Sequence, residues 1–478
     1  MNLIAITGIL LLALAGCAAP VATPPSMLTP NAGWQNAPRA EGIAREALTR
    51  WWSGFHDEEL ACFVEAAFDG NLDIRLAAER VRESRSAATV SASLLWPTLN
   101  AAGFDRRNKD LSHIPARPPI ANITDAGLSA SWEIDLFGGN GALAEGAQQN
   151  ALAARESERA VRVALAGEIA SVLFTQRSLV AQLDTLKASV AVSEEVTRFA
   201  SERYRKGLTS RLDVDHAVSF SKTLESQVPD LERDIQALSY RLAILAGRIP
   251  SGEAPSRKSL PDSLPPLPNL LPSEWLVARP DLRAARHRVE AANANAASAR
   301  AAFFPNFVLS AGIARDTLTF QGLPALSGNL FALGLGIVQP IFNAGRIAAQ
   351  VDGAEARRSE AAASYDKTLL SAIEEVENAF VAYASSVTRR EDLLIARDAA
   401  LRARDSAKAL FERGLVDYGV YLDAQRVHLA AEQSLIDITA RRAIAMVALY
   451  RAFGGGIADD NERISAAAPE LLLLKAQP

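Results

Sequence analysis

Two copies of one unit make up most of the sequence, and this internal repeat constrains the fold more than any other feature. Asp73 and its neighbours match Asp281 and its neighbours at an offset of 208 residues. Further along, Gly207 and Gly414 stand 207 residues apart, each three residues after an aromatic residue. Other pairs at offsets of 207 or 208 are Val81 and Val289, Pro97 and Pro305, and Leu242 and Leu449. Landmarks that keep register along the whole unit indicate a tandem duplication.

Proline-rich segments separate the parts of the chain. The eight prolines between residues 250 and 280 favour an extended connector rather than a packed element. The predicted divisions are a signal peptide at 1–16, a Pro-rich extended segment at 17–40, a first repeat at 41–248, a Pro-rich connector at 249–279, a second repeat at 280–456 and a C-terminal tail at 457–478.

Each copy is predicted to contain a helix, two strands, a long helix, a turn and a second long helix, with the long helices at 138–248 and 343–453. Strong helix formers dominate these stretches. A single helix over 138–204 would be about 100 Å long, which a compact globule cannot contain. Pro229 is expected to break the return helix of the first copy, where the second copy has Ile436. Apolar residues at coiled-coil spacing are Ile169, Val172, Leu179, Leu183, Leu186 and Val190.

Two predicted strand hairpins, at 98–137 and 306–342, alternate between bulky apolar residues and small or polar residues, although the segment Thr98 to Asn108 alternates only weakly. Such alternation is typical of a barrel wall with lipid outside and water inside, but a half-buried strand on a soluble core shows it too. Four strands cannot close a barrel, and open edges are not tolerated in hydrocarbon. Two chains would give eight strands, whose interior side chains normally fill, whereas three chains would give twelve, enough for a pore. The pattern therefore favours a trimer.

The N-terminal residues have the pattern of a signal peptide. An apolar run of thirteen residues, Leu3 to Ala15, is too short to cross a bilayer as a helix and suits the core of a signal peptide. It ends in Leu14-Ala15-Gly16-Cys17, which resembles the lipobox of bacterial lipoproteins. Cys17 is thus the predicted lipidation site, with a plain signal peptide as the alternative. We expect Cys62, then unpaired, to be a buried apolar residue on a helix.

Composition excludes several classes of function. Fifty Lys and Arg against 55 Asp and Glu give a net charge of −5, unlike the basic surplus of nucleic-acid binders. The five histidines are scattered, so no zinc-ligand spacing appears. Phosphate-binding loops and nucleophile elbows are missing from the sequence. No enzyme activity, cofactor or metal site is predicted.

Taken together, several motifs are similar to those of the TolC-like outer-membrane efflux proteins, specifically the NodT-type lipoprotein branch. The motifs are Trp51 to Asp57, Ser131 to Gly138, Arg279 to Arg283, Ala301 to Pro305, Leu422 to Arg426 and Gly454 to Gly456. The resemblance implies a mixed α/β membrane protein of tandem-duplicated units, whose trimer forms a twelve-stranded β-barrel continued by a long α-helical periplasmic barrel.

The same resemblance implies a passive channel in the outer membrane, lipid-anchored and with a large periplasmic part. The channel would be a homotrimer that receives substrates from a periplasmic adaptor protein and an inner-membrane transporter of the RND type. Two alternatives stay open. One is a type I protein-secretion duct, and the other is a periplasmic coiled-coil lipoprotein that acts as a scaffold or adaptor.

The resemblance also assigns roles to residues at the two helix-hairpin tips, where each glycine permits a tight reversal. The residues implied to contact the adaptor are Lys206, Gly207, Leu208, Thr209 and Ser210 at the first tip, and Arg413, Gly414 and Leu415 at the second. The closed aperture is expected at Asp423, which three-fold symmetry would turn into an acidic ring that attracts cations. Further aperture candidates are Asp417, Tyr418, Tyr421, Asp213 and Asp215.

Overall fold

A computed structural model describes residues 33–36, 49–109, 120–252, 254–267, 279–320 and 324–455. The predicted signal peptide and Cys17 lie outside the described residues. The chain divides into two compact units. The strand unit comprises the described parts of Glu79–Arg155 and Ala284–Lys367, and the helical unit those of Thr29–Ala78, Glu156–Arg283 and Thr368–Pro478.

The described elements follow the order expected of a duplicated chain. After a 3-10 turn at Trp51–Phe55, the helices are α1 (Glu58–Gly70), α2 (Leu72–Ser93), α3 (Gly139–Arg205), α4 (Arg211–Glu225), α5 (Val228–Leu245), α6 (Pro280–Ala301), α7 (Arg346–Glu412) and α8 (Tyr418–Ala452). The strands are β1 (Thr98–Lys109), β2 (Ile120–Ile134), β3 (Asn306–Phe320) and β4 (Leu326–Val338). Both predicted hairpins therefore contain two strands, including the weakly alternating β1.

The four strands form one antiparallel sheet in the order β1-β2-β3-β4. Strands β1 and β2 precede the connector and β3 and β4 follow it, so the central pair joins the two copies. The β2–β3 register runs from Ala121 opposite Phe320 to Ile134 opposite Phe307. Among the described residues, β1 and β4 each pair on one side only, which leaves the sheet with two open edges.

The two faces of the sheet differ in composition, because successive side chains of a strand point to opposite faces. In register, Leu128 lies opposite Ile313, and Ile313 opposite Phe331, which is 72 % exposed. The apolar face comprises these residues and Trp132, Leu309, Leu333 and Leu335. The polar face includes Thr98, Ser129, Ser131, Ser310, Gly312 and Gly334, with apolar residues further along the strands. An exposed apolar face of this size requires a nonaqueous partner.

Side-chain contacts fix the passage from strands to helices within the strand unit. The indole Nε1 of Trp132 donates to the Leu95 carbonyl at 3.0 Å. The carboxylate of Asp135 accepts from the amide of Gly141 at 2.6 Å, which satisfies a free donor in the first turn of α3. These contacts hold the end of β2 beside the start of the long helix.

Helices α3 and α7 are each 67 residues long, or about 100 Å. The single long helix predicted for the first copy is therefore confirmed. Of the predicted seam residues, Ile169 and Leu186 are fully buried and the other four are half-buried. Among the described helices, only α3 has an 18-residue window apolar enough to cross a membrane, and 67 % of that window is buried inside the structure. Such burial is typical of a packed core helix.

The return helix differs between the copies, as predicted. In the first copy α4 ends at Glu225 and α5 begins at Val228, with Pro229 in its first turn. Proline is tolerated there because the first amides of a helix lack partners within it. In the second copy α8 continues without a break through Ile436 for 35 residues.

The predicted environment of Cys62 is wrong, because this residue is exposed on α1. The helix buries Leu60, Val64 and Ala67, which recur at intervals of four and three residues along one side. Two residues beyond Leu60, the helical rotation carries Cys62 to the opposite side. Its apolar character alone could not reveal which side of α1 packs.

The connector is extended but, contrary to expectation, it is packed. Residues 254–267 contain no helix or strand, yet Ser256 is buried and their carbonyl groups accept side-chain hydrogen bonds. The Tyr450 hydroxyl donates to the Pro266 carbonyl at 2.7 Å, and Arg442 donates to that of Asp262 at 2.8 Å. Proline lacks an amide donor but keeps its acceptor, so a proline-rich segment still binds donors on helices.

A buried polar cluster ties the connector and the start of α1 to α3 in the helical unit. The Arg177 side chain is 1 % exposed and forms ion pairs with Asp57 and with Glu59, the latter at 2.7 Å. Its Nε donates to the Ser256 hydroxyl at 2.9 Å. Asp57 also caps α1 by accepting from the amides of Glu59 and Leu60. A single arginine thus serves three segments distant in sequence.

Candidate functional site

Both helix-hairpin tips have the same backbone geometry. Gly207 follows α3 and Gly414 follows α7, each with φ of 72° in the left-handed region. At the first tip the Leu208 amide donates to the Arg203 carbonyl at 2.9 Å, and at the second the Leu415 amide donates to the Leu410 carbonyl at 2.9 Å. This six-to-one bond defines a Schellman cap, for which glycine is the favoured residue. The duplicated glycines therefore serve as helix stops.

An aromatic cluster joins the two hairpins near their tips, inside the helical unit. The Phe411 ring lies 5.9 Å from Phe199 and 5.9 Å from Tyr421, and it is nearly parallel to the latter. Tyr418 lies 5.6 Å from the same ring. We call this the tip cluster; its buried members are Leu186, Ala200, Ala217, Phe220, Leu224, Ala407, Phe411, Tyr418, Tyr421, Leu422 and Leu429. It gives both reversals one common core.

Two arginines cover the aromatic rings of the tip cluster. The guanidinium of Arg203 lies 5.8 Å from the ring centroids of both Phe199 and Phe411. Arg426 lies 5.4 Å from the ring of Phe220. These distances are within cation–π range, and the Arg203–Phe411 and Arg426–Phe220 pairs link the two hairpins. Sequence reasoning missed these two contacts because the partners are distant in sequence.

The aperture candidates Tyr418 and Tyr421 are both buried, each 3 % exposed. Burial raises the pKa of Tyr418 to about 12, and burial also raises the pKa of Tyr421, so both phenols stay neutral at physiological pH. Because both tyrosines pack against Phe411, they stabilise the position of α8 within one chain.

The aspartates of the first tip are engaged locally. Asp213 completes a capping box with Ser210 at the start of α4 and also accepts from the Thr209 hydroxyl. Asp215 is exposed and pairs with Arg211 one turn earlier at 3.0 Å. Ser210 and Thr209 thus shape the turn themselves, in addition to any contact with a partner.

The aspartates of the second tip, in contrast, are not engaged by other side chains of the described residues. Asp417 precedes α8 without a side-chain capping bond, and Asp423 lies exposed in the second turn of α8. Neither carboxylate forms an ion pair or hydrogen bond with another side chain in the part of the chain that the structure describes. Both therefore can face solvent or a neighbouring chain.

The outermost residues of both tips combine an exposed leucine with a cation. Leu208 is 63 % exposed and Leu415 is 66 % exposed, and each follows its left-handed glycine directly. Lys206 and Arg413 stand exposed just before those glycines. In the described ranges no group of three or more His, Cys, Asp or Glu side chains could hold a metal ion.

An exposed apolar sheet face, two 67-residue helices and paired reversals together define a membrane protein with long helical hairpins. The chain belongs to the outer membrane efflux protein family, whose model matches residues 64–248 and 271–455. It is an outer-membrane channel of an efflux system. The family members are channels rather than enzymes, which supports a transport role.

Known proteins resemble the chain over nearly its whole length. The cation efflux system protein CusC of Escherichia coli O6:H1 is 29 % identical over 93 % of this chain and 97 % of that protein. The probable outer membrane lipoprotein SilC of Salmonella typhimurium is 29 % identical over 85 % of this chain and 88 % of its own length. The solved outer-membrane channel OprN superposes with a TM-score of 0.82 at 27 % identity, over 91 % of this chain and 98 % of that one.

Proposed function

We propose that the protein is a homotrimer in which three four-stranded sheets close one twelve-stranded barrel in the outer membrane. The observation that carries the proposal is the sheet itself, which exposes an apolar face and has two open edges among the described residues. Backbone groups at such edges must be paired in hydrocarbon. Strands β1 and β4 run in opposite directions, so β4 of one copy can continue the antiparallel order onto β1 of the next.

In this assembly the apolar face contacts lipid and the polar face lines the lumen. The apolar positions of β3, from Phe307 to Ile313, span about 20 Å along the strand at 3.3 Å per residue. The helical hairpins of three chains form the periplasmic barrel. Each repeat, 41–248 and 280–456, supplies one hairpin of strands and one of helices.

The channel is passive and receives its substrates from an adaptor and an inner-membrane transporter of the RND type. The exposed Leu208 and Leu415 are the proposed adaptor contacts, together with the tip cations. Replacing both leucines by Asp should abolish adaptor binding to the purified channel, because a carboxylate cannot enter an apolar pocket without loss of hydration. Ile249→Asp is the matched control, since Ile249 is 88 % exposed away from the tips.

A lipid on Cys17 anchors the mature chain. The residues before Cys17 support this proposal, and the relative SilC is named as a lipoprotein. Mass spectrometry of the mature N-terminus should find a diacylglyceryl group and an acyl chain such as palmitate. The Cys17→Ser variant should lack both, and an unmodified wild-type Cys17 would contradict the anchor.

Light scattering on a sizing column, corrected for detergent, tests the assembly directly. The expected particle contains three chains of up to 51.1 kDa each. A single chain would leave the edges of β1 and β4 open and overturn the barrel. In that case, proteolysis of both strand hairpins in intact outer membranes would indicate a periplasmic scaffold instead.

A further inference from the structure

A groove of about 220 Å³ lies along the sheet in the strand unit, mainly on the polar face. Gly127 and Gly312 form its floor, and the side chains of Phe104 and Leu330 rise on either side of it. A side chain at position 127 would meet the Ile313 carbonyl oxygen at 2.7 Å, so only glycine leaves the floor open without a backbone shift. The groove is therefore built into the register of β2 and β3.

The walls of the groove are large and apolar. Phe104 is 56 % exposed and Leu330 is 55 % exposed. Ile123, Leu318 and Leu326 lie on the same face beyond the groove, whereas Ser129, Ser310 and Gly334 lie on it towards the helices. Phe104 is in register with Asp125, and Leu330 with Ala314, so both side chains share the polar face. Two large apolar groups beside a glycine floor form a surface that fits a flat apolar body.

Negative charge lies at one end of the groove. Asp125 and Asp316 stand directly opposite each other on β2 and β3. Like charges in this position destabilise a strand pair unless a proton or another cation lies between them. The Oδ1 atom of Asp316 is shielded from solvent and accepts no hydrogen bond from a described residue. Arg106, one position further out on the same face of β1, forms no ion pair with either aspartate in the described structure.

We propose that this groove binds small organic cations that carry an apolar or aromatic body. The cationic group lies between Asp125 and Asp316, and the body packs on Phe104 and Leu330. The ring of Phe104 also attracts the cation. The volume limits the body to about one ring, since pockets for drug-sized ligands are larger. The inference rests on the proposed function, in which the polar face lines the lumen and each trimer carries three such grooves.

Benzyltrimethylammonium is the probe, tested on the full chain in planar bilayers at low salt. It should reduce single-channel conductance at lower concentration than tetramethylammonium, which lacks the ring. In the double variant Asp125→Asn/Asp316→Asn, the half-blocking concentration should rise about tenfold, and in Phe104→Leu about threefold. The matched control is Asp105→Asn, because Asp105 lies next to Phe104 on the apolar face and bonds to Thr124 at 3.0 Å.

Each outcome decides a separate point. Equal block of the wild type and the double variant would overturn the proposed binding site. An equal shift in Asp105→Asn would also overturn it, because block would then depend on negative charge in general and not on these two aspartates. If the protein forms no conducting pore, the proposed channel is wrong. Equilibrium dialysis of the probe against the purified full chain and the double variant then measures binding at the groove independently of conduction, and equal binding would overturn the site.

Discussion

Arg177 shows how much one side chain can hold together. It is 1 % exposed and contacts Asp57 and Glu59 at the start of α1 and Ser256 in the connector, so it joins two distant segments to α3. A buried ion pair adds little net stability compared with a well-packed apolar pair, but removal of one partner is costly because the other charge remains buried.

Arg177→Ala should therefore lower the free energy of unfolding by about 3–5 kcal/mol. Urea unfolding of the detergent-solubilised protein measures the change. The control is Lys187→Ala, since Lys187 pairs with Glu232 at 2.6 Å while both are half exposed. That exposed pair should contribute at most about 1 kcal/mol. Equal losses in the two variants would contradict the importance of burial.

Asp57 gives this cluster a pH dependence. Burial raises the pKa of Asp57, but the hydrogen bond and charge of Arg177 outweigh burial and hold the pKa below its ordinary value of 3.8. A lowered pKa in the folded protein stabilises it above 3.8, and this contribution is lost as the pH falls through the folded pKa.

The melting temperature of the wild type should exceed that of Asp57→Asn at neutral pH, and the difference should shrink below pH 3.8. Asparagine is the appropriate replacement because it retains the capping of α1. A difference that stays constant from pH 7 to pH 2 would show that the charge of Asp57 plays no part in stability.

The contacts and burial of individual residues were the hardest features to predict from the sequence. Arg177 and Asp57 are 120 residues apart, and the heptad spacing near Arg177 predicts a seam without identifying its polar partners. Cys62 shows the same limit, because its burial depends on which side of α1 packs. By contrast, Asp423 and Asp417 could be proposed from the resemblance and their position near a turn, since exposed residues need no distant partner.

At the scale of elements, the structure follows strong local signals. Pro229 breaks the return helix where its ring removes a helix hydrogen bond, and the left-handed glycines end α3 and α7. The connector was the exception. Its prolines correctly predicted an extended backbone, but the donors that bind its carbonyls, Tyr450 and Arg442, follow it in sequence by more than 170 residues.

Gly207→Ala and Gly414→Ala should each destabilise their hairpin by about 1 kcal/mol, because a side chain is strained at φ of 72°. Chemical unfolding together with hydrogen exchange at the tips measures the effect. Gly419→Ala is the matched control. It lies in the first turn of α8, where an added Cβ meets open space, so alanine should stabilise the helix slightly. Destabilisation by all three would exclude the left-handed backbone as the cause.

At the scale of the whole molecule, the repeat and the strand alternation predicted the architecture because both are periodic over long stretches. The proposed trimer would have one property that no single chain has, since three-fold symmetry would turn each exposed aspartate into a ring.

Asp423→Ala should reduce cation preference and alter conductance in planar bilayers, because the variant would remove three negative charges from one level of the proposed trimer. Reversal potentials under a salt gradient measure the preference. The control is Asp215→Ala, whose charge is already paired with Arg211 at 3.0 Å. Unchanged selectivity in Asp423→Ala would remove this residue from the aperture.

The open edges of the sheet have a consequence for biogenesis. A newly secreted chain carries unpaired backbone groups on β1 and β4 beside an exposed apolar face, which is the combination that promotes aggregation. In the proposed trimer each chain is incomplete until its neighbours cover it, so the folded state would depend on the concentration of the other copies. Dilution during synthesis should favour degradation over insertion, so the cell must deliver these chains to the membrane together.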